Sequence, residues 1–313
     1  MRPAGADRPR RAQASFAPFD EILAMTPTDR SDPVAAAAEY LLERFGRHIV
    51  ALMAYGSRVF GRPRRDSAYD FWVVVDDIEA FHRDNADFYR TELNVPSTPD
   101  EQIALNRAGP NFYAIEQDGF SIKAAVIGLA EFCDLCRGAW WTVKGRMQKP
   151  TRVFRSCPQV EDAVGDARAE GLECALSLVP REFTLGQFLR ELCGLSYRAE
   201  IRPEHKAAKI QSILDAAAAE LEEVYAPLLD AHPAIERRGD LYADTRDDKT
   251  RARLRKAVLK SLRRSKWSKR SFKYLWRNFR THRAPLRYLW RKAAGEAARV
   301  FKRRARTENQ VPR

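Results

Sequence analysis

A glycine, a serine and an aspartate stand at the point where one apolar run of the sequence ends and the next begins. The run from His48 to Tyr55 is short enough to be a buried strand, and it stops at Gly56-Ser57. A basic loop follows, and a second apolar run starts at Asp70. A Gly-Ser turn lets backbone N–H groups approach a phosphate, and a carboxylate on the neighbouring strand can hold a hard cation such as Mg²⁺. The alternative is an ordinary Gly-Ser hairpin turn with an aspartate at a strand end.

The surrounding elements predict how these residues are positioned. Asp32 followed by Pro33 is typical of a helix start that leads into the first strand. Asp118-Gly119 between two apolar runs predicts a hairpin that extends the sheet and carries Lys123. Strand, Gly-Ser turn, loop and acidic strand form the layout of a nucleotidyltransferase fold. We therefore expect an α+β protein with a mixed sheet, followed by a smaller helical domain over residues 156–232.

The charge of this 313-residue chain is unevenly distributed. Its net charge is +13, yet the segment 251–306 alone holds 22 Lys/Arg and one acid. Apolar residues recur there at helical spacing, which predicts a basic amphipathic helix lying on an anionic membrane surface. Binding to nucleic acid is disfavoured, and packing of the apolar stripe on the protein body is the third alternative. The aromatic residues expected to contact the membrane are Trp267, Phe272, Trp276, Phe279 and Trp290.

The expected organisation therefore has four parts. A tail without order is expected over 1–30, the nucleotidyltransferase domain over 31–155, the helical domain over 156–232, and a linker with the basic arm over 233–313. No apolar run reaches the length of a transmembrane helix. The five cysteines show no metal-binding or disulfide pattern, so we expect reduced thiols and no disulfide partner.

An ordered series of motifs between about residues 49 and 230 resembles a known family. The chain is similar to the mitochondrial translocator assembly and maintenance family, the CTP:phosphatidate cytidylyltransferases that also occur in bacteria. The motifs that carry the resemblance are Tyr55-Gly56-Ser57-x-Val59-Phe60, Asp70-Phe71-x-x-x-Val75-Asp76-Asp77, Asn85-x-x-x-Tyr89, Ile122-Lys123-x-x-Val126-Ile127 and Gly145-Arg146-x-Gln148-Lys149-Pro150.

The resemblance implies that CTP and phosphatidic acid are converted to CDP-diacylglycerol and pyrophosphate with Mg²⁺ as cofactor. It implies a peripheral protein on the inner face of the cell membrane, or on the matrix side of the inner mitochondrial membrane. The alternatives are a nucleotidyltransferase that acts on RNA or protein, and a non-catalytic relative that binds nucleotide or nucleic acid.

The same resemblance implies a role for each candidate residue. Gly56 and Ser57 hold the triphosphate, and Asp70 holds Mg²⁺. Lys123 acts on the phosphates from the adjacent strand. The strand carries a single aspartate, so a second metal ligand is expected from Asp76 or Asp77, which could instead cap the following helix. Two further cations, expected to bind phosphate, are Arg146 and Lys149, although these and Lys123 could be solvated surface charges.

Overall fold

The computed structural model describes residues 32–60, 67–91, 98–107, 109–117, 120–200 and 206–266. Its first part contains one large sheet and the helices that cover it. In chain order these elements are α1 (Pro33–Phe45), β1 (Ile49–Tyr55), β2 (Tyr69–Val75), α2 (Ile78–Asp84), α3 (Ala86–Thr91), α4 (Pro99–Asn106), β3 (Asn111–Gln117), β4 (Phe120–Gly128), α5 (Leu129–Arg137), α6 (Trp141–Lys144) and β5 (Thr151–Arg155).

The large sheet has the strand order β3-β4-β2-β1-β5. Only the β2–β4 pairing is parallel, so the sheet is mixed, and β3 and β4 form the predicted antiparallel hairpin. One face packs against Leu41 of α1 and Phe81 of α2, and the other packs against Phe132 of α5. The neighbouring strands β1 and β2 are apolar on both faces because helices cover both faces of the sheet. The predicted α+β class with a mixed sheet is confirmed.

The second part of the protein is mainly helical and has its own core. Its elements are α7 (Pro158–Leu176), β6 (Glu182–Thr184), α8 (Leu185–Ala199), α9 (Lys206–Asp230), β7 (Ile235–Arg238), β8 (Leu241–Asp244) and α10 (Asp248–Lys266). The three strands form a small sheet in the order β6-β8-β7. Phe183, Phe188, Tyr225 and Leu262 are buried together between this sheet and the helices.

The structure corrects the expected linker after residue 232. That segment contains the β7–β8 hairpin and α10, and both contribute side chains to the helical core. Arg251 at the start of α10 donates to Asp244 (3.2 Å) and to the carbonyl of Val179 (3.0 Å). The apolar stripe of α10, including Val258 and Leu262, packs on the body, which is the third alternative considered for the basic arm.

A buried histidine, His82 on α2, is hydrogen-bonded to α3 and α4. Three short helices, α2, α3 and α4, follow Asp77, and Asn85 separates the first two. His82 Nε2 donates to Asn106 Oδ1 (2.7 Å), so Nδ1 accepts the Tyr89 hydroxyl proton (2.8 Å). Burial lowers the pKa of His82 to about 4, although the Asn106 hydrogen bond acts in the opposite direction. His82 is therefore neutral and structural.

Candidate nucleotide-binding site

The Gly56 turn lies directly against the carboxylate of Asp70. Tyr55, the last residue of β1, is the register partner of Asp70 on β2. Gly56 then adopts φ +91°, a conformation that L side chains rarely adopt. A Cβ added to Gly56 would stand 2.9 Å from Asp70 Oδ2. Any larger residue at position 56 would therefore displace the carboxylate. Ser57 follows within a turn in which the Gly56 carbonyl accepts the amide protons of Val59 and Phe60.

Lys123 stands beside Asp70 on the parallel neighbour β4. The register pairs the two residues, and Lys123 Nζ lies 3.8 Å from Asp70 Oδ1. The lysine also lies over the Phe112 ring, with 4.9 Å from Nζ to the ring centroid. Both charged side chains are partly exposed, so their attraction adds little stability. The pair matters for its position, because it places an ammonium group and a carboxylate side by side where a charged ligand can reach both.

Arg146 reaches the same end of the sheet from the loop after α6. Its Nε and Nη2 atoms both donate to Glu200 Oε1, at 3.1 and 3.0 Å. Its guanidinium carbon lies 5.9 Å from the centroid of the Tyr55 ring. Burial alone would lower the pKa of Arg146, but Glu200, Tyr55 and Asp70 outweigh it and the net pKa is raised. Arg146 is therefore a largely covered side chain, 14% exposed, that stays charged close to Asp70.

Lys149 lies three residues beyond Arg146 and two residues before the start of β5. Its Nζ donates to Ser196 Oγ (2.8 Å) and stands 3.9 Å from the centre of the Tyr197 ring. Thr151 at the start of β5 pairs with Tyr55, which places this segment at the same end of the sheet as the Gly56 turn. A polar and an aromatic contact thus hold the lysine against α8.

The side chains of Tyr55, Asp70 and Lys123 share one face of the sheet. Side chains two residues apart in a strand point to the same face. Met53, Trp72 and Ala125 stand two residues from these three and are all buried in the core under α5. The structure therefore brings the predicted residues Gly56, Ser57, Asp70, Lys123 and Arg146 to one end of one face. Lys149 lies in the segment that enters β5 at the same end of the sheet.

Asp76 and Asp77 lie at the other end of β2, and the expectation that they share a metal ion with Asp70 is wrong. Six residues of extended strand separate Asp70 from Asp76, a distance of about 20 Å, whereas Mg²⁺ ligands lie about 2.1 Å from the ion. Asp77 accepts the amide protons of Glu79 and Ala80 and caps α2. Asp76 accepts the Asp77 amide proton and lies near His48.

A single carboxylate is compatible with a magnesium ion that a nucleotide brings along. Magnesium keeps several waters and is commonly held by one or two carboxylates together with substrate phosphates. Asp70 is the carboxylate that lies against Gly56 among the described residues. No cluster of three or more His, Cys, Asp or Glu residues suited to a metal occurs within the described ranges.

Two contributors to the site have no signal in the sequence. Glu200 is 54 residues from Arg146, and nothing in its neighbourhood marks it as the partner of that arginine. Phe112 forms the surface under Lys123 but stands in an ordinary alternating strand. Ser196 lies in a Gly-Leu-Ser-Tyr stretch on α8, and this short motif was the available signal for it.

The five aromatic residues that we expect to contact a membrane follow Lys266, the last described residue. Trp267, Phe272, Trp276, Phe279 and Trp290 all lie outside the described residues. None of the helices within the described ranges is both long and apolar enough to cross a bilayer.

The fold and this arrangement define the class of protein. A mixed sheet with a glycine turn, a carboxylate and three cations at one end has the layout of a nucleotidyltransferase. A family model described as "Phosphatidate cytidylyltransferase, mitochondrial" matches residues 38–302, and the chain belongs to this family.

Curated relatives with the same description occur in three animals. The chain is 30% identical over 190 residues to the protein of Caenorhabditis elegans, covering 56% of this chain and 59% of that relative. It is 29% identical over 199 residues to the Caenorhabditis briggsae protein, with 59% of that relative covered. The Drosophila melanogaster protein is 27% identical over 162 residues, which is 45% of each chain. The chain therefore spans less than two thirds of the length of these relatives.

Proposed function

We propose that this protein transfers the cytidylyl group of CTP to phosphatidic acid, forming CDP-diacylglycerol and pyrophosphate. The observation that carries this proposal is the meeting of Gly56, Asp70, Lys123 and Arg146 at one end of the sheet, in a chain of the phosphatidate cytidylyltransferase family. The relatives are named for this activity.

The reaction joins two phosphates without a covalent enzyme intermediate. An oxygen of the phosphatidate monoester attacks the α-phosphorus of CTP, and the bond to the β-phosphate oxygen breaks as pyrophosphate leaves. Both substrates are anionic, so catalysis consists mainly of positioning and charge neutralisation. A bound Mg²⁺ supplies further neutralisation of the phosphates, and Asp70 is the residue that would hold it.

Each side chain has a place in this scheme. The Gly56-Ser57 turn offers backbone N–H groups to the triphosphate because no Cβ blocks the approach. Lys123, held beside Asp70, neutralises phosphate charge from the neighbouring strand. Arg146 and Lys149 approach from the opposite side and bind the phosphates of CTP or of the lipid. The cations then counter the negative charge that both phosphates bring to the site.

Release of pyrophosphate tests this proposal directly. The full chain is incubated with Mg²⁺, CTP and phosphatidic acid in mixed micelles, beside reactions with ATP, GTP or UTP and one without lipid. Release that requires both CTP and the lipid is expected. Release that ignores the lipid would indicate another acceptor, and no release with any nucleotide would indicate a non-catalytic relative.

The exposed face of α10 favours an anionic membrane as the place of the reaction. Leu262 and Ser265 face the protein core. The outward face carries Arg253, Arg255, Lys256, Lys260, Arg263 and Arg264. A basic residue close to an anionic surface contributes on the order of 1 kcal/mol to binding. This face and the aromatic segment beyond it would hold the protein on the inner face of a cell membrane, or on the matrix side of the inner mitochondrial membrane.

Charge reversal tests the membrane surface better than deletion does. Removing residues 251–313 would take Leu262 out of the helical core, so unfolding would confuse the result. The triple variant Lys256→Glu, Lys260→Glu, Arg263→Glu leaves that core intact. We expect weaker co-sedimentation with anionic vesicles and no change with neutral ones. Reversal of the exposed Arg83 and Arg90 on α2 and α3 is the control, and equal losses in both variants would refute the α10 surface.

A further inference from the structure

Trp141 connects α10 to the loop that carries the candidate phosphate-binding residues. The indole is buried, and its Nε1 donates to Ser261 Oγ (2.9 Å). The backbone N–H of Trp141 donates to Ser265 Oγ (2.8 Å). The two serines are four residues apart and therefore lie on the same face of α10. One tryptophan thus uses both of its N–H groups to bind two successive turns of a basic helix.

The two serine hydroxyls accept protons from outside their own helix. Serine disfavours helix interiors because its hydroxyl competes for backbone groups of the preceding turn. In α10 both hydroxyls accept protons from Trp141, 120 and 124 residues away in sequence. The first N–H groups of a short helix such as α6 lack intrahelical acceptors. Ser265 Oγ is the acceptor for the first of these groups, the N–H of Trp141. Ser261 and Ser265 thus replace the solvent that Trp141 would otherwise need.

From Trp141 a single helical turn leads to Arg146. The Gly145 amide donates to the Trp141 carbonyl (2.9 Å), and the Arg146 amide donates to the Val143 carbonyl (2.8 Å). Lys144, also buried, forms an ion pair with Glu170 and lies over the Trp141 ring. These interactions restrict the movement of Arg146 relative to Trp141. A displacement of the tryptophan is therefore passed on to the arginine.

The other side of the loop has no room to absorb such a displacement. A Cβ on Gly145 would come within 2.5 Å of the Ser196 amide nitrogen, so the two backbones already touch. Ser196 is also the acceptor for Lys149. The loop is thus held between α8 on one side and α10 on the other.

We propose that Ser261 and Ser265 are positioning residues, which fix the phosphate-binding loop of residues 145–149 through Trp141. The basic helix α10 therefore supports the nucleotide site in addition to presenting an exposed basic surface. This inference deepens the proposed function and rests on it for its kinetic consequences. Loss of the two hydroxyl acceptors moves Arg146 and Lys149 away from the phosphates of CTP.

Kinetics of paired variants test this proposal. Ser261→Ala is expected to raise the KM for CTP about tenfold while kcat falls less, because the groups that bind the nucleotide are misplaced. Ser261→Thr retains the hydroxyl and restores the KM. Trp141→Phe removes the other partner of the same hydrogen bond, so the double variant should be no worse than either single one. Additive losses would overturn the positioning role.

Val258→Ala is the matched control for a loosened helix. Val258 packs α10 against the same core but has no hydrogen-bonding group to offer Trp141. Its KM for CTP should stay within about twofold of that of the unaltered protein. An equal rise in KM for Val258→Ala and Ser261→Ala would mean that general loosening of α10 explains the effect, and the proposal would be wrong.

Amide hydrogen exchange provides a measurement that does not depend on activity. The Ser261→Ala, Ser265→Ala variant should exchange faster than the unaltered protein at residues 142–149, and Val258→Ala should not. Unchanged exchange there would overturn the inference even if the enzyme assay succeeds. Absence of turnover in the unaltered protein would refute the proposed function, and the exchange comparison would still decide whether the serines hold the loop.

Discussion

Replacing Gly56 by alanine separates backbone strain from damage to the site. Gly56 has φ +91°, and an added Cβ would lie 2.9 Å from Asp70 Oδ2. Gly239 in the β7–β8 turn has φ +62°, and a Cβ there would meet nothing within 4 Å. The two glycines therefore share the conformational penalty, but only Gly56 has a functional side chain in the way.

The expected magnitudes differ between stability and activity. A non-glycine residue at positive φ costs about 1–2 kcal/mol, so each alanine variant should lose a similar amount of stability. In a protein of 313 residues that corresponds to about 1.5–3 °C in Tm, because the unfolding entropy is about 2.1 cal/mol/K per residue. At position 56 the carboxylate must also move away from the methyl group. A displacement of about 1 Å at a reacting centre can reduce the rate about 100-fold, so kcat/KM should fall by that factor for Gly56→Ala alone.

The assay combines thermal unfolding with pyrophosphate release at varied CTP and Mg²⁺. Gly239→Ala should keep the activity of the unaltered protein below its Tm while showing the lower melting temperature. The reasoning is refuted if Gly56→Ala retains activity within about threefold of Gly239→Ala, because the close approach of Gly56 to Asp70 would then have no functional value.

Three further results are expected. Asp70→Asn should lower kcat at least about 100-fold with little change in Tm, whereas Asp76→Asn should leave turnover within about twofold. Comparable losses of turnover in the two variants would mean that Asp76 shares a metal site with Asp70 after all. Arg146→Lys cannot reproduce the paired hydrogen bonds from Nε and Nη2 to one carboxylate oxygen, so the KM for CTP should rise about tenfold, measured by initial rates; an unchanged KM would contradict the assignment. Because burial lowers the pKa of His82 to about 4, the unfolded chain takes up this proton first as the pH falls below about 6.5, and urea unfolding should show about 2 kcal/mol less stability at pH 5 than at pH 7 from this group. A folded His82→Gln variant should lose that part of the pH dependence, and an identical pH profile would show that His82 is not its source.

Much of the site could be predicted from residues close together in sequence. The turn at Gly56, the two strands that flank it and the β3–β4 hairpin follow from apolar runs and turn residues, which act locally. The position of Lys123 beside Asp70 depends in addition on the parallel β2–β4 pairing, which joins residues 53 apart in the sequence. The helix caps at Asp32 and Asp77 likewise depend on a side chain and an amide two or three residues away.

The errors arose where the outcome depends on distance in space. Asp76 and Asp77 followed Asp70 closely enough in sequence to appear as metal ligands, but an extended strand carries them to the opposite end of the sheet. The segment after residue 232 was polar enough to resemble a linker. Its few apolar side chains, Ile235 and Tyr242 among them, nevertheless complete the helical core.

The sequence by itself thus determined the elements, the glycine turn and the types of charge available, because strands, turns and caps are decided by neighbours along the chain. Only the tertiary structure decided which charges meet. Arg146 finds Glu200, and Trp141 finds Ser261 and Ser265, across separations of 54 residues or more. Such contacts depend on how two hydrophobic cores pack against each other, and that packing leaves no periodic signal in the sequence.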